Sequence, residues 1–99
     1  MSLTKYVLSE LAEQDLIEIN DYGLYEFGFY AADKYKIGII KTLNMLFSYP
    51  RMGRLDDTHK SLHVFPFKNH QIYYLIEHTH IYIVRIIHGK RNPTTSITK

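Results

Sequence analysis

Hydrophobic positions along the chain change period twice, from a short strand-like run to helical spacing and back again. Leu3 to Leu8, with Tyr6 and Val7 inside it, predicts a first strand. Ser9 stands where a helix N-cap is needed, and Glu10 and Glu13 fall in the first turn, where the helix dipole favours acids. Ala12, Leu16, Ile19, Gly23 and Phe27 follow at intervals of four, three, four and four residues, which is one face of a helix; Asp15, Glu18 and Asp21 sit off that stripe. Gly28 predicts a stop, because glycine enters left-handed backbone at little cost. A second helix is predicted from Tyr30 or Ala31 to about Ser48, with Ala32, Tyr35, Ile39, Leu43 and Leu46 as its buried line. Gly38 weakens that helix by roughly 0.5–1 kcal/mol relative to alanine but permits close helix approach, and Pro50 ends it. With so little chain between them, the two helices are expected to form an antiparallel hairpin packed on one face of a sheet.

Residues 49–60 combine Pro, Gly, charges and paired aspartates, and predict a surface loop. Strands are predicted at about Leu62 to Phe65, His70 to Glu77 and His80 to Ile87, with turns at Pro66 to Asn69 and at His78-Thr79. The fold expected is therefore α+β: an N-terminal strand and a two-helix hairpin on a small, mainly antiparallel sheet of about four strands. The long strands carry large apolar groups at consecutive positions, as in Ile72-Tyr73-Tyr74-Leu75-Ile76, so both sheet faces need shelter. One face takes the helices and the other calls for a partner, a tail or a groove. No repeat or linker divides the chain. Residues 1–99 are expected to be one domain, with 92–99 a flexible or edge-adding tail.

Composition narrows the chemistry. There is no cysteine, which removes disulfides and thiolate catalysis. No run approaches the roughly 18 apolar residues of a membrane span, and the first ten residues lack a signal-peptide core, so a cytoplasmic protein without membrane contact is expected. The net charge of +2 hides an asymmetry: residues 1–50 hold four lysines against seven acids, a balance of −3, whereas residues 51–99 hold eight bases against three acids, a balance of +5. The second half is thus suited to meet something acidic. It ends in Arg85-Ile86-Ile87-His88-Gly89-Lys90-Arg91-Asn92-Pro93, a strand of β-formers running into a compact basic segment, which is a rigid way to present a contact surface. The six histidines are scattered without metal-ligand spacing, so neither a metal nor another cofactor is expected.

The order of these segments resembles the ParE/RelE superfamily of bacterial toxins, and within it the ParE branch. Tyr6-Val7-Leu8-Ser9 with Ala12-Glu13, Asp15-Leu16 and Ile19 through Tyr22 is similar to the family's opening strand and helix. Ala32, Tyr35, Leu46 and Pro50-Arg51-Met52-Gly53-Arg54 are similar to its second helix and loop, and Phe65-Pro66-Phe67, His70, Ile72 to Tyr74, Ile83 to Arg85 and His88 to Asn92 to its closing sheet. His63 stands where the family usually has an arginine, and Asn92 where many members have aspartate.

The resemblance implies the toxin of a type II toxin–antitoxin pair, neutralised by a separately encoded antitoxin, contacting operator DNA only through that antitoxin, and poisoning DNA gyrase. The sister branch, of RelE, YoeB and YafQ type, instead implies an endoribonuclease acting on mRNA at the ribosome; a third possibility is a relative that binds antitoxin without toxicity. For the target surface the candidates are Arg85, His88, Lys90 and Arg91, and for the antitoxin Arg51, Arg54, Tyr22 and Tyr49. A ribonuclease needs a base, an acid and phosphate-binding cations converging on one site, for which His63, His70, Arg85 and His88 are the candidates. The middle strands supply only Lys68 as a formal cation, which favours the non-enzymatic reading.

Overall fold

The computed structural model describes residues 5–89, so Lys90, Arg91 and the tail 92–99 lie outside the described residues. Strand β1 spans Lys5–Leu8, helix α1 Glu10–Ser48, and a 3-10 turn Pro50–Met52 leads into β2 at Arg54–Leu55; β3 is His63–Phe67, β4 His70–Ile76 and β5 His80–His88. The strands form one sheet in the order β1-β5-β4-β3-β2. β1 runs parallel to β5, with Tyr6 opposite Ile81 and Leu8 opposite Ile83, and the other neighbours are antiparallel.

Two expectations are corrected. Among the described residues the sheet has five strands rather than about four, because Arg54 and Leu55, inside the expected loop, pair with Val64 and His63. The helical structure is one long element from Glu10 to Ser48 rather than two helices joined as a hairpin. The physical reason lies at Gly28, which takes φ 88 and ψ 171 while its neighbours on both sides remain helical. The change of direction uses a single residue and no linker. Around this bend Gly23 comes against Ala32, where a Cβ on Gly23 would lie 3.1 Å from that of Ala32. Gly38, expected to ease contact between helices, instead makes room for the sheet: a Cβ there would lie 2.6 Å from the Phe67 ring.

Ser9 begins α1 as its sequence setting predicts, its hydroxyl accepting from the Ala12 N–H at 2.9 Å. The same hydroxyl donates to the Val84 carbonyl at 2.7 Å, while the Ser9 N–H reaches the Ile83 carbonyl at 3.0 Å. That coupling matters because β5 carries a bulge here. Tyr73 pairs with Arg85 and Tyr74 with Ile83, so Val84 is an extra residue. A bulge breaks the ladder and leaves backbone groups to be satisfied by other means. The N-terminus of α1 supplies them.

The main core lies between α1 and the sheet and includes Ala12, Ile39, Leu43 and Leu46 against Ile72, Tyr74, Ile81, Ile83 and Ile86. A smaller cluster joins Leu62, Val64, Tyr73 and Ile87. Tyr74 ties the loop after α1 to this frame: its hydroxyl donates to the Pro50 carbonyl at 2.7 Å and accepts from the Gly53 N–H at 2.9 Å. Among the described residues no helix is long and apolar enough to cross a membrane.

Candidate functional site

Where the bend of α1 overhangs the β3–β4 turn and the end of β5, the chain encloses a cavity of about 460 Å³. Its floor is polar because two histidines meet across a strand pair: His70 opens β4, His88 closes β5, and they are register partners with rings 5.5 Å apart at 75°. Tyr35 comes down from α1, its hydroxyl 2.7 Å from His70 Nδ1 and its ring edge-on to His70 and to Phe67. Burial is the main cause that pushes His70 below its ordinary 6.5, with His88 adding to it and Asp15 opposing. Burial likewise raises Tyr35 above 10, against a backbone hydrogen bond at Asn69. Near neutral pH the pair is an uncharged phenol and an uncharged imidazole.

Asp15 and Arg85 stand behind this floor. Arg85 Nε donates to Asp15 Oδ2 and Nη2 to Oδ1, both at 2.8 Å, and the Ile86 N–H reaches Oδ2 at 2.9 Å. The hydrogen bonds from Arg85 to Asp15 are the leading cause that moves the guanidinium above its ordinary value, with burial opposing. Arg85 is 6% exposed, so its charge is spent inside the protein, fastening α1 to β5 next to the bulge. Asp15 lies three residues after Ala12 and four before Ile19, and that spacing is the signal that would have placed it on the buried stripe.

Of the histidine candidates, His70 and His88 converge and His63 does not. His63 faces Tyr74 at one end of the β3–β4 ladder and His70 faces Phe67 at the other, four residues or roughly 13 Å away along the strand. His63 is 8% exposed and stacks on Tyr74, with ring centroids 5.4 Å apart. Burial, and after it the charge of Arg51, hold it below 6.5; its Nδ1 has no hydrogen-bond partner. The four antitoxin candidates also separate. Tyr22 lines the cavity, whereas Tyr49 and Arg51 line an open cleft at the far end of α1 with Met52, Ile76, Glu77 and His78. Arg54 is exposed on β2.

What sequence spacing missed is the concentration of exposed rings at the bend. Tyr22, Tyr25, Phe27, Phe29 and Tyr30 are between 62% and 87% exposed, although Phe27 continues the apolar stripe of the helix. Uncovered aromatic surface of this density marks a place where another surface packs. Chemically, the cavity offers the Tyr35–His70–His88 contact, two carboxylates and apolar walls, with no lysine or arginine among its described lining residues. Among the described residues no three His, Asp or Glu side chains are grouped to hold a metal ion.

Comparison with known proteins agrees with this architecture. Residues 6–93 match the family described as ParE toxin of type II toxin-antitoxin system, parDE. A solved structure described as a chromosomal ParDE TA system from P. aeruginosa is similar in fold, with a TM-score of 0.77 at 18% identity over 87% of this chain and 95% of that one. By sequence alone no curated protein matches significantly.

Proposed function

The chain belongs to the ParE toxin family of type II toxin–antitoxin systems, and from that premise we propose that it is neutralised by a cognate antitoxin and arrests growth by inhibiting DNA gyrase through binding rather than by cutting RNA. The observation that carries the non-enzymatic part is the fate of Arg85, the strand arginine behind the histidines among the described residues. A nuclease at the one place where histidines meet must hold a phosphate, and bidentate arginine is the usual means. Here Arg85 Nε and Nη2 bond Asp15, and Glu18 lines the cavity that a phosphate would have to enter. The proposed target surface is the end of β5, with His88, Lys90 and Arg91; Arg85 acts by fixing the strand that carries them. Tyr22 at the bend, and Tyr49, Arg51 and Arg54 at the opposite end of α1, are the proposed antitoxin contacts.

The Tyr35–His70–His88 contact favours a second reading, ribosome-dependent mRNA cleavage. One experiment separates the two. Purified protein added to gyrase and relaxed plasmid is expected to block supercoiling or to trap cleaved DNA, while transcript ends mapped within minutes of induction stay unchanged. Normal supercoiling without trapped DNA would reject the gyrase reading, and codon-linked transcript cuts would establish the nuclease. Unimpaired growth on induction of folded protein would instead indicate a non-toxic antitoxin-binding relative.

A further inference from the structure

We propose that the cavity under the bend of α1 is a receptor for one cationic side chain, an arginine or lysine presented by a partner protein segment, with Glu18 as counter-ion and Tyr22 and Phe27 as aromatic walls. The assignment rests on the reading that a partner protein binds this chain, and it names the chemistry of that contact.

Three observations lead to it. The first is the balance of charge in the cavity. Asp15 is matched by Arg85 and by the Ile86 N–H. Among the described residues, Glu18 has only the Gln14 amide, at 3.4 Å on the exposed side, and a through-space attraction to Arg85. With His70 and Tyr35 neutral and no lysine or arginine among the described lining residues, an incoming anion faces the Glu18 carboxylate and an incoming cation finds a partner in it.

The second is the geometry of the walls. Glu18 and Tyr22 are one helical turn apart and share the cavity-facing side of α1 with Asp15 and Ile19. The Tyr22 and Phe27 rings, 6.4 Å apart and inclined at 76°, present two aromatic surfaces beside that carboxylate although they are 62% and 69% exposed. Aromatic faces attract guanidinium and ammonium groups through the ring quadrupole, more strongly once water is excluded. A cavity of about 460 Å³ exceeds what one side chain fills, and Ile19, Ala32 and Ile86 line the remainder, so apolar neighbours from the same segment fit beside the cation.

The third is the field around the mouth. No lysine or arginine occurs between Lys5 and Lys34, while Glu10, Glu13, Asp15, Glu18, Asp21, Glu26 and Asp33 do. This arm of the helix steers positive charge toward the bend. It is the opposite of the second half of the chain, so a partner that engages both must be basic at the bend and acidic elsewhere.

The test uses the full chain and two small probes, N-acetyl-arginine methylamide and its uncharged isostere N-acetyl-citrulline methylamide, titrated while the backbone amide resonances of Gly23, Ala32, His70 and His88 are followed. The arginine probe is expected to shift these resonances saturably and to bind at least tenfold more tightly than the citrulline probe. Glu18→Gln is expected to abolish that preference, and Tyr22→Leu or Phe27→Leu to weaken the arginine probe at least threefold. All three side chains are exposed, so unchanged melting curves and otherwise unchanged spectra will show that the variants fold. Equal binding of the two probes, a preference that survives Glu18→Gln, or no saturable shift up to about 50 mM would overturn the assignment. Growth arrest and gyrase inhibition are measured separately. An arginine-selective cavity in a chain that leaves growth untouched would count against the toxin reading alone, and a toxic chain with an unselective cavity against the cation receptor alone.

Discussion

Asp15 accepts hydrogen bonds from Arg85 Nε, Arg85 Nη2 and the Ile86 N–H while being only 4% exposed. Placed off the apolar stripe by its polarity, it reads in sequence as a solvated helix acid, and Arg85 at the end of a strand reads as a cation waiting for a target. Neither residue carries a local signal of the other, because they are 70 positions apart. Removing one member of a buried pair leaves the other uncompensated, at a cost of about 3–5 kcal/mol. Asp15→Ala and Arg85→Ala are therefore each expected to lower unfolding free energy by about that amount in denaturant titrations. Replacing both by apolar residues of similar volume should cost less than either single change. If Arg85→Ala instead removes toxicity with an unchanged denaturation midpoint, Arg85 belongs to the target surface after all.

The elements show the same division between local and distant causes. The Ser9 cap, the end of α1 before Pro50 and the spans of β4 and β5 were legible because each is set by residues within a turn or two. The place of the bend was legible too, but its form was not: Gly28 predicts a helix stop, whereas one residue at φ 88 and ψ 171 turns the chain while helix continues on both sides. The parallel pairing of β1 with β5, and β2 as a two-residue edge, depend on segments far apart in sequence. A side chain at position 28 would meet nothing within 4 Å, so the cost of placing one there is purely backbone strain. Gly28→Ala is expected to destabilise by about 1–3 kcal/mol, with roughly 4–8 °C lost from the melting temperature per kcal/mol in a domain of this size. A chemically synthesised chain with D-alanine at 28 accepts positive φ and should melt close to the parent. Equal losses for the two isomers would point to contact rather than conformation as the cause.

At the scale of the whole molecule, two opposite charge balances are mounted on one frame, and the family assignment explains why a small domain carries surfaces beyond its own core. The acidic arm of α1 leads to the cavity, and the basic second half ends in β5, whose Ile81, Ile83, Ile86 and Ile87 are 1% exposed or less. The strand is thus anchored from Ile81 to Ile87, and His88, exposed at its end, begins the segment proposed to meet the target. Anchoring and contact are then separable by mutation. Lys90→Ala with Arg91→Ala removes two charges without touching any core residue named above, and substitutions of that kind usually change stability by less than about 0.5 kcal/mol. The double variant is expected to melt with the parent and to bind antitoxin, yet to lose most of its toxicity and gyrase inhibition. Ile83→Ala or Ile86→Ala should instead cost roughly 2–5 kcal/mol and lose every activity together through unfolding. Full gyrase inhibition by the Lys90/Arg91 variant would move the target surface away from the end of β5, toward Arg51 and Arg54, the exposed arginines at the other end of the molecule.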